Sequence, residues 1–315
     1  MKISLVMPRG TALRTGNHHT AQRWAGFLRK SGHRVAIEEE WGGRAVDALI
    51  ALHAKKSAVS VERFHHECPD RPLIVALTGT DLYRDIEASA EARRSLELAT
   101  RLVVLQPRGV NELARHLRPK TRVVFQSAAT GLAHRPPRSG FRLAVVGNLR
   151  EEKDPFRTVM ALAHLPSRPD IEVVQIGGSY NPAMAKSARR WMRHEPRYRW
   201  IGSKPHGDAL RRMAASHLLV VSSVMEGGAN VICEASRMGL PVLASRVSGN
   251  IGMLGAGYAG YFPLFDERKL ARLIERASGD PAFYSKLKKE VLARRALFAP
   301  SAEQLGLERL LREVA

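Results

Sequence analysis

Short apolar runs alternate along the chain with longer amphipathic stretches, of which residues 20–30 are one example. Runs of four or five residues rich in Val, Ile and Leu are typical of strands buried on both faces of a parallel sheet. Six such runs predict strands in the first part of the chain, at residues 3–7, 34–37, 48–52, 73–77, 102–105 and 123–126. Strands that alternate with amphipathic helices indicate a doubly wound α/β domain.

The same alternation starts again after residue 140, with predicted strands at residues 143–146, 172–176, 199–201, 218–221 and 241–244. Between the two series, residues 134–140 contain consecutive prolines, which cannot continue a helix or pair in a central strand, so we predict a linker there. After Asp266 the pattern is helical, and Pro281 and Pro300 are expected to lie in first helical turns.

These patterns predict an α/β protein with two Rossmann-like doubly wound domains facing a central cleft. The predicted boundaries are residues 1–135 for the first domain and 136–299 for the second. Residues 300–315 are predicted to form a C-terminal helix, for which packing back on the first domain is one option.

Charge and composition restrict the class of protein. The formal net charge is +20, which favours anionic ligands without choosing among nucleotides, phosphates, nucleic acid and acidic lipid. Aromatic residues make up only 6% and no nucleic-acid-binding motif is recognised, which argues against a nucleic-acid partner. Because no long apolar run or secretory leader is evident, we expect a cytoplasmic protein without membrane insertion. The two cysteines, Cys68 and Cys233, are expected to be reduced thiols.

The most specific motif follows the predicted strand at residues 218–221. A glycine pair, Gly227 and Gly228, precedes a predicted helix, and two acids, Glu226 and Glu234, lie eight positions apart around it. Glycines let the backbone approach a ligand, and the N–H groups at a helix start attract a diphosphate. Carboxylates accept hydrogen bonds from sugar and ribose hydroxyls.

This spacing, followed by Gly-Leu-Pro-Val at residues 239–242, resembles the glycosyltransferase family 4 enzymes of the GT-B type over residues 141–278. The resemblance implies that Glu234 holds the ribose and Glu226 the transferred sugar. It also implies that Arg150 and Lys153 neutralise the departing diphosphate without a metal or other cofactor. The donor residues implied are Gly147, Asn148, Arg150, Lys153, Gly177, Gly202, Glu226, Gly227, Gly228, Ala229, Asn230, Val231 and Glu234.

Polar clusters also follow several predicted strands of the first domain. In open α/β sheets, loops at the carboxyl ends of strands form the binding crevice, and here they carry glycines and cations suited to a small anion. His53 lies where many family 4 enzymes place a histidine beside the transferred sugar, and Asp81 either closes the pocket or caps the next helix. The acceptor candidates are Arg14, Gly16, Asn17, His53, Lys55, Lys56, Thr78, Gly79, Thr80, Asp81, Gln126 and Ser127.

A closer resemblance runs through five segments, at residues 16–17, 51–57, 76–83, 95–99 and 102–107, and spans nearly the whole chain. They are similar to the selenosugar synthases of selenoneine biosynthesis. The resemblance implies transfer of a sugar from a UDP-sugar, such as UDP-N-acetylglucosamine, to selenophosphate, with formation of a carbon–selenium bond. Arg150, Lys153, Glu226 and His53 are then the candidate catalytic residues.

Two other interpretations stay open on the sequence. A family 4 enzyme with an ordinary carbohydrate or lipid acceptor would share the donor motif, and a basic surface could rest on an anionic membrane. A GT-B protein that binds nucleotide without transfer is the third option. The presence of Glu226, Glu234, Arg150 and Lys153 argues against it.

Overall fold

The computed structural model describes residues 1–8 and 16–314, which divide into two compact units. The first unit contains Met1–Ser127 and Pro300–Ala315, and the second contains Ala128–Ala299. The first boundary therefore lies eight residues before the predicted one, and the C-terminal helix is part of the first unit.

The predicted linker at residues 134–140 belongs to the second unit instead of joining two units. His134 is buried there, with its N–H donating to the Met238 carbonyl at 3.1 Å and its Nε2 lying 2.8 Å from the Ser216 carbonyl. Prolines exclude helix and central strand, but they do not prevent a segment from packing in extended form.

A six-stranded parallel sheet in the order β2-β1-β3-β4-β5-β6 forms the centre of the first unit. Its strands are β1 Lys2–Val6, β2 Arg34–Glu38, β3 Ala48–Leu52, β4 Leu73–Leu77, β5 Arg101–Val104 and β6 Thr121–Val123. Every residue of β3 and β4 is buried, as the unbroken apolar runs predict. The last strand was predicted too late, because Thr121, Arg122 and Val123 pair with β5 while the apolar run begins only at Val123.

Helices cover both faces of this sheet. They are α1 Gly16–Lys30, α2 Ala58–Glu67, α3 Ile86–Ala88, α4 Ala90–Leu98 and the C-terminal helix Pro300–Arg312. Trp24 and Leu28 of α1 share one core cluster with Leu307 and Leu310 of the C-terminal helix. The C-terminal helix thus completes the core of the first unit.

The second unit repeats the plan, with a six-stranded parallel sheet in the order β12-β11-β10-β7-β8-β9. Its strands are β7 Phe141–Val146, β8 Ile171–Ile176, β9 Tyr198–Trp200, β10 Leu218–Val221, β11 Val242–Ser245 and β12 Tyr261–Phe262. The last strand was not predicted, because two residues are too few to produce a recognisable pattern. The prediction of two parallel doubly wound α/β units is confirmed.

Three helices of the second unit begin directly after a residue whose side chain caps them, namely Asn181, Asp266 and Asp280. The helices of this unit are α5 Arg157–Leu162, α6 Pro182–His194, α7 His206–Ala214, α8 Asn230–Met238, α9 Ser248–Leu254, α10 Glu267–Gly279 and α11 Pro281–Ala293, so the C-terminal helix is α12. The Asp280 side chain accepts from the Ala282 and Phe283 N–H groups at 3.0 Å, which caps α11. The predicted helix starts at Pro281 and Pro300 are confirmed. Within the described part of the chain, no helix has the length and apolarity needed to cross a membrane.

Candidate functional site

Three glycines end neighbouring strands of the second unit and bring its loops close together. Gly147 follows β7, Gly177 follows β8 and Gly202 lies two residues after β9, all with positive φ. The Gly177 N–H donates to the Gly202 carbonyl at 2.9 Å, and a Cβ at Gly177 would lie 2.0 Å from the Gly147 oxygen. Only glycine fits this approach, so these positions shape the edge of the sheet where the predicted donor site lies.

Asn148 holds these loops together instead of pointing away from them. Its Oδ1 accepts from the Gly178 N–H at 2.9 Å, and its Nδ2 lies 3.4 Å from the Tyr180 hydroxyl. Asn148 therefore fixes the loop after β7, and its predicted contact with the donor stays a prediction.

Lys153 and Glu226 form an ion pair at this edge of the sheet. Lys153 Nζ lies 2.5 Å from Glu226 Oε1, and the Ser223 hydroxyl donates to the same oxygen at 2.5 Å. The Ser222 hydroxyl donates to the carbonyls of Lys153 and Asp154 and so fixes the lysine backbone. Within the described residues, no hydrogen bond reaches Glu226 Oε2, so that oxygen is available to a ligand.

Arg150 lies on the loop that leads to Lys153 and is exposed. It makes no ion pair with any residue between 1 and 8 or between 16 and 314, whereas Lys153 is held by Glu226. The structure thus brings Lys153 and Glu226 together and leaves the Arg150 guanidinium open to an anion.

The glycine pair leads directly into α8, as predicted. Ala229 is the residue before the helix, and Asn230 and Val231 form its first turn, where N–H groups have no intrahelical acceptor. Because the helix dipole adds partial positive charge at this end, the turn suits the phosphates of a ligand. Gly227 and Gly228 place no side chain in front of these groups.

Gly249, which the sequence analysis missed, holds α9 against the loop that carries Glu226. A Cβ at Gly249 would lie 1.7 Å from the Glu226 carbonyl oxygen. The neighbouring Asn250 is buried and donates through Nδ2 to the Ser245 carbonyl at 3.0 Å. The signal in the sequence was a Ser-Gly-Asn segment that begins three residues after the end of a buried strand and opens α9.

Glu234 has a partner that sequence analysis also missed. Its Oε1 lies 2.7 Å from His206 Nε2, and the side chains are 11% and 61% exposed, respectively. His206 is the first residue of α7, a different helix from that of Glu234. The hydrogen bond that the imidazole donates to Glu234 raises the pKa of His206, although burial opposes this shift. Glu234 therefore faces an exposed edge, where a hydroxyl of a bound ligand could replace the histidine.

We expect an NMR titration of the His206 imidazole to have its midpoint above the ordinary histidine pKa of about 6.5. Glu234→Gln should move that midpoint back towards the ordinary value, because the carboxylate that stabilises the charged imidazole is gone. The folded-state pKa is raised, so the stabilisation from this pair is present at low pH and is lost as pH rises through the folded pKa. An unchanged midpoint in Glu234→Gln would contradict the pairing, and Glu195→Gln is the matched control.

In the first unit, His53 lies at the end of β3 beside the loop that follows β4. It has a φ of 78°, is 2% exposed, and its N–H donates to the Ala76 carbonyl at 2.9 Å. Its Nε2 lies 3.3 Å from Thr80 Oγ1 and 3.5 Å from Asp85 Oδ2. Burial lowers the pKa of His53, against the opposing effect of Asp81, which favours a neutral imidazole. A left-handed conformation in a buried, non-glycine residue is often found at functional sites.

Asp81 does not cap the next helix, which was one of its two predicted roles, and its closing of the acceptor pocket stays a prediction. Its carboxylate is completely buried and accepts from the N–H groups of Ala54, Thr78 and Gly79 at 2.8–3.2 Å. These residues precede it, whereas a helix cap accepts from residues that follow it. Asp81 therefore joins the loops after β3 and β4 and fixes the surroundings of His53.

Gln126 and Ser127 also belong to internal contacts. The Ser127 N–H and hydroxyl donate to Glu303 Oε2 at 2.8 and 2.5 Å, and the Gln126 Nε2 donates to the Thr20 hydroxyl at 2.7 Å. The Ser127 donors are bound to a buried carboxylate and so support the first unit, while a contact between Ser127 and the acceptor stays a prediction. Gln126 supports the first turn of α1.

The remaining acceptor candidates lie at or beside the carboxyl edge of the first sheet. Lys55 and Lys56 are exposed just after His53, and Thr78 and Gly79 are partly buried after β4. Gly16 and Asn17 begin α1. Arg14 lies outside the described residues, so its role stays a prediction.

Comparisons with known proteins agree with this architecture. The structure of HepE from Anabaena in complex with UDP-glucose matches with a TM-score of 0.80 at 16% identity, covering 99% of this chain and 100% of that one. The sucrose-phosphate synthase of Thermosynechococcus elongatus matches with a TM-score of 0.80 at 19% identity, covering 99% and 98%. The two Rossmann-like units and these matches define a protein with the GT-B fold.

Residues 133–293, just over half of the chain, match the family described as glycosyl transferases group 1. The chain belongs to this family and is a glycosyltransferase. It is also 24% identical to the glycosyltransferase 1 domain-containing protein 1 of Xenopus tropicalis, over 94% of this chain and 92% of that protein. The matched segment contains the loop after β7, both acids and the start of α8.

Proposed function

We propose that the protein transfers a sugar from a UDP-sugar, such as UDP-N-acetylglucosamine, to selenophosphate. The selenium would attack the anomeric carbon, the bond from that carbon to the diphosphate oxygen would break, and UDP would leave. The immediate product of this step would be a sugar whose anomeric carbon is bonded to selenium, and the selenium would still carry the phosphoryl group. Complexes of HepE with UDP and with UDP-glucose support a UDP-sugar as the donor, because the two chains share a fold.

The observation that carries the donor part is the arrangement of Lys153, Glu226 and the first turn of α8. Glu226 Oε2 would accept from sugar hydroxyls, while Lys153, Arg150 and the N–H groups of Asn230 and Val231 would bind the diphosphate. Developing charge on the departing UDP would meet preorganised cations and dipoles, so this scheme needs no metal or other cofactor.

The acceptor part is supported by the resemblance of residues 51–57 and 76–83 to selenosugar synthases and by the chemistry of those residues. Selenophosphate is small and multiply anionic, and its soft selenium is already ionised at neutral pH. It therefore needs positioning and charge complementarity more than a general base. Lys55 and Lys56 are exposed cations beside His53, and both could hold the phosphoryl oxygens.

The direct test is anaerobic incubation of the purified protein with UDP-N-acetylglucosamine and selenophosphate, followed by mass spectrometry and measurement of UDP release. We expect a selenium-containing sugar in amounts equal to UDP. Thiophosphate and phosphate are the parallel acceptors. UDP release without a selenium product would contradict the proposal that selenophosphate is the acceptor. An ordinary carbohydrate or lipid acceptor would then be the next candidate.

The double variant Lys55→Ala/Lys56→Ala should raise the KM for selenophosphate by about tenfold or more, because two charge-assisted contacts to the anion are lost. The KM for the UDP-sugar should stay near that of the unchanged protein. Lys30→Ala/Arg34→Ala is the matched control, since it removes two exposed cations near the opposite end of the sheet. Equal losses for donor and acceptor would contradict the assignment.

A further inference from the structure

A cavity of about 400 Å³ lies in the second unit, between α7 and one face of strands β7, β8 and β9. Its floor is apolar and includes Val174, Ile176 and Ile201. None of the residues proposed to contact the UDP-sugar lines it. The volume is within the range of ordinary small-molecule sites, roughly 300–1,000 Å³.

Four arginines and two acids also line this cavity, so its positive charges outnumber its negative charges. Arg142 is paired with Glu172 through two contacts of 3.3 and 3.4 Å, and Arg211 is paired with Asp208. The guanidinium groups of Arg199 and Arg212 make no ion pair with any other residue that the structure describes. The cavity therefore carries two uncompensated positive charges above an apolar floor.

The two unpaired guanidinium groups and the apolar floor together indicate what kind of ligand would fit the cavity. Carboxylates and phosphates match guanidinium groups through charge-assisted hydrogen bonds. An apolar body attached to the anion would gain van der Waals contact with the partly buried Ile201 and with the buried Val174 and Ile176 beneath it. A neutral amphiphile would leave both cations without a partner, and a simple anion would make no contact with the floor.

We propose that this cavity is a second ligand site, which binds an amphipathic anion, a phosphate or carboxylate that carries an apolar chain. The ligand could be a free amphiphile or the headgroup region of an anionic lipid, since both present the same chemistry. The site is separate from the proposed UDP-sugar site, so its occupation does not require transfer activity.

The test is calorimetric titration of the full chain with octyl phosphate below its micelle concentration, in the presence of saturating UDP. We expect octyl phosphate to bind at least about tenfold more tightly than inorganic phosphate or octyl glucoside, since each comparison removes one of the two complementary parts. The double variant Arg199→Gln/Arg212→Gln should weaken octyl phosphate binding by about tenfold or more while leaving UDP binding unchanged.

The matched control is Arg190→Gln/Arg193→Gln, which removes two exposed cations from α6, outside the cavity. It should change octyl phosphate binding less than about twofold.

Flotation with phosphatidylglycerol or phosphatidylcholine vesicles distinguishes the source of the ligand. Binding to phosphatidylglycerol that depends on Arg199 and Arg212 indicates a lipid, and binding of octyl phosphate alone indicates a free amphiphile. Equal binding of octyl phosphate by the two double variants, or no preference over the two comparison ligands, would overturn the proposal.

Discussion

Glu226→Gln is expected to lower kcat for sugar transfer by about 10²- to 10³-fold, the size of effect seen when a single preorganised group that stabilises a transition state is removed. The Oε1 atom of Glu226 already accepts from Lys153 Nζ and the Ser223 hydroxyl. In the proposed scheme Oε2 accepts from hydroxyls of the transferred sugar. Glutamine removes the negative charge and replaces one acceptor by a donor, so it cannot keep both sets of contacts.

The measurement is the initial rate of UDP release with selenophosphate as acceptor, over a range of UDP-sugar concentrations. A lower kcat with little change in KM would indicate contacts that strengthen in the transition state. The matched control is Glu151→Gln, which makes the same change at an exposed position in the loop before Lys153. Full transfer activity in Glu226→Gln would mean that Glu226 does not contact the sugar.

Both acids of the motif are bound to side chains of the protein itself. Glu226 pairs with Lys153 and Glu234 pairs with His206, at 2.5 and 2.7 Å. In the proposed scheme the hydroxyls of the UDP-sugar replace these internal donors, and Lys153 becomes free to bind phosphate. The net cost of desolvating the acids is lowered because they never lie unpaired. This exchange explains why a strongly cationic protein keeps two carboxylates beside a site for an anion.

Sequence patterns were sufficient where the physical signal is local. The unbroken apolar run of β3 predicts a strand buried on both faces, and the glycine pair at Gly227 and Gly228 predicts that a helix begins shortly after it. Both depend on residues within about ten positions of each other, and such contacts follow from backbone periodicity.

The contacts that sequence analysis missed join distant segments. His206 lies 28 residues before Glu234, and Glu303 lies 176 residues after Ser127. Neither pair has a periodicity that one sequence could reveal, because the partners meet only through the order of strands in the sheet. Asp81 illustrates a second reason: several orientations are open to an aspartate after a strand, and the fold selects the one that accepts from N–H groups of two neighbouring loops.

Glu303→Ala is expected to lower the free energy of unfolding of the first unit by about 3–5 kcal/mol, the usual effect of removing one partner of a buried, hydrogen-bonded ion pair. The Glu303 carboxylate is 1% exposed and accepts from Arg23 Nε at 2.6 Å, Trp24 Nε1 at 2.7 Å and both donors of Ser127. Alanine would leave the Trp24 and Ser127 donors buried without an acceptor and the guanidinium of Arg23 without its counterion.

Hydrogen exchange of amides in β1 and β5 in urea measures this loss, because these strands belong to the central sheet of the first unit and their exchange reports its opening. Glu308→Ala is the matched control, since it makes the same change on the same helix at a half-buried carboxylate, which accepts from the Ser31 hydroxyl at 2.6 Å and from Gln304 Nε2 at 3.0 Å, and it should have a much smaller effect. Glu303→Gln should fall between the two variants, because its amide keeps one acceptor oxygen but loses the charge that binds Arg23. If Glu303→Ala and Glu308→Ala lowered stability equally, the Glu303 carboxylate would not be a specific link from α12 to α1 and to Ser127. A large difference would mean that this buried carboxylate adds to the apolar packing of Leu307 and Leu310 in stabilising α12 within the first unit.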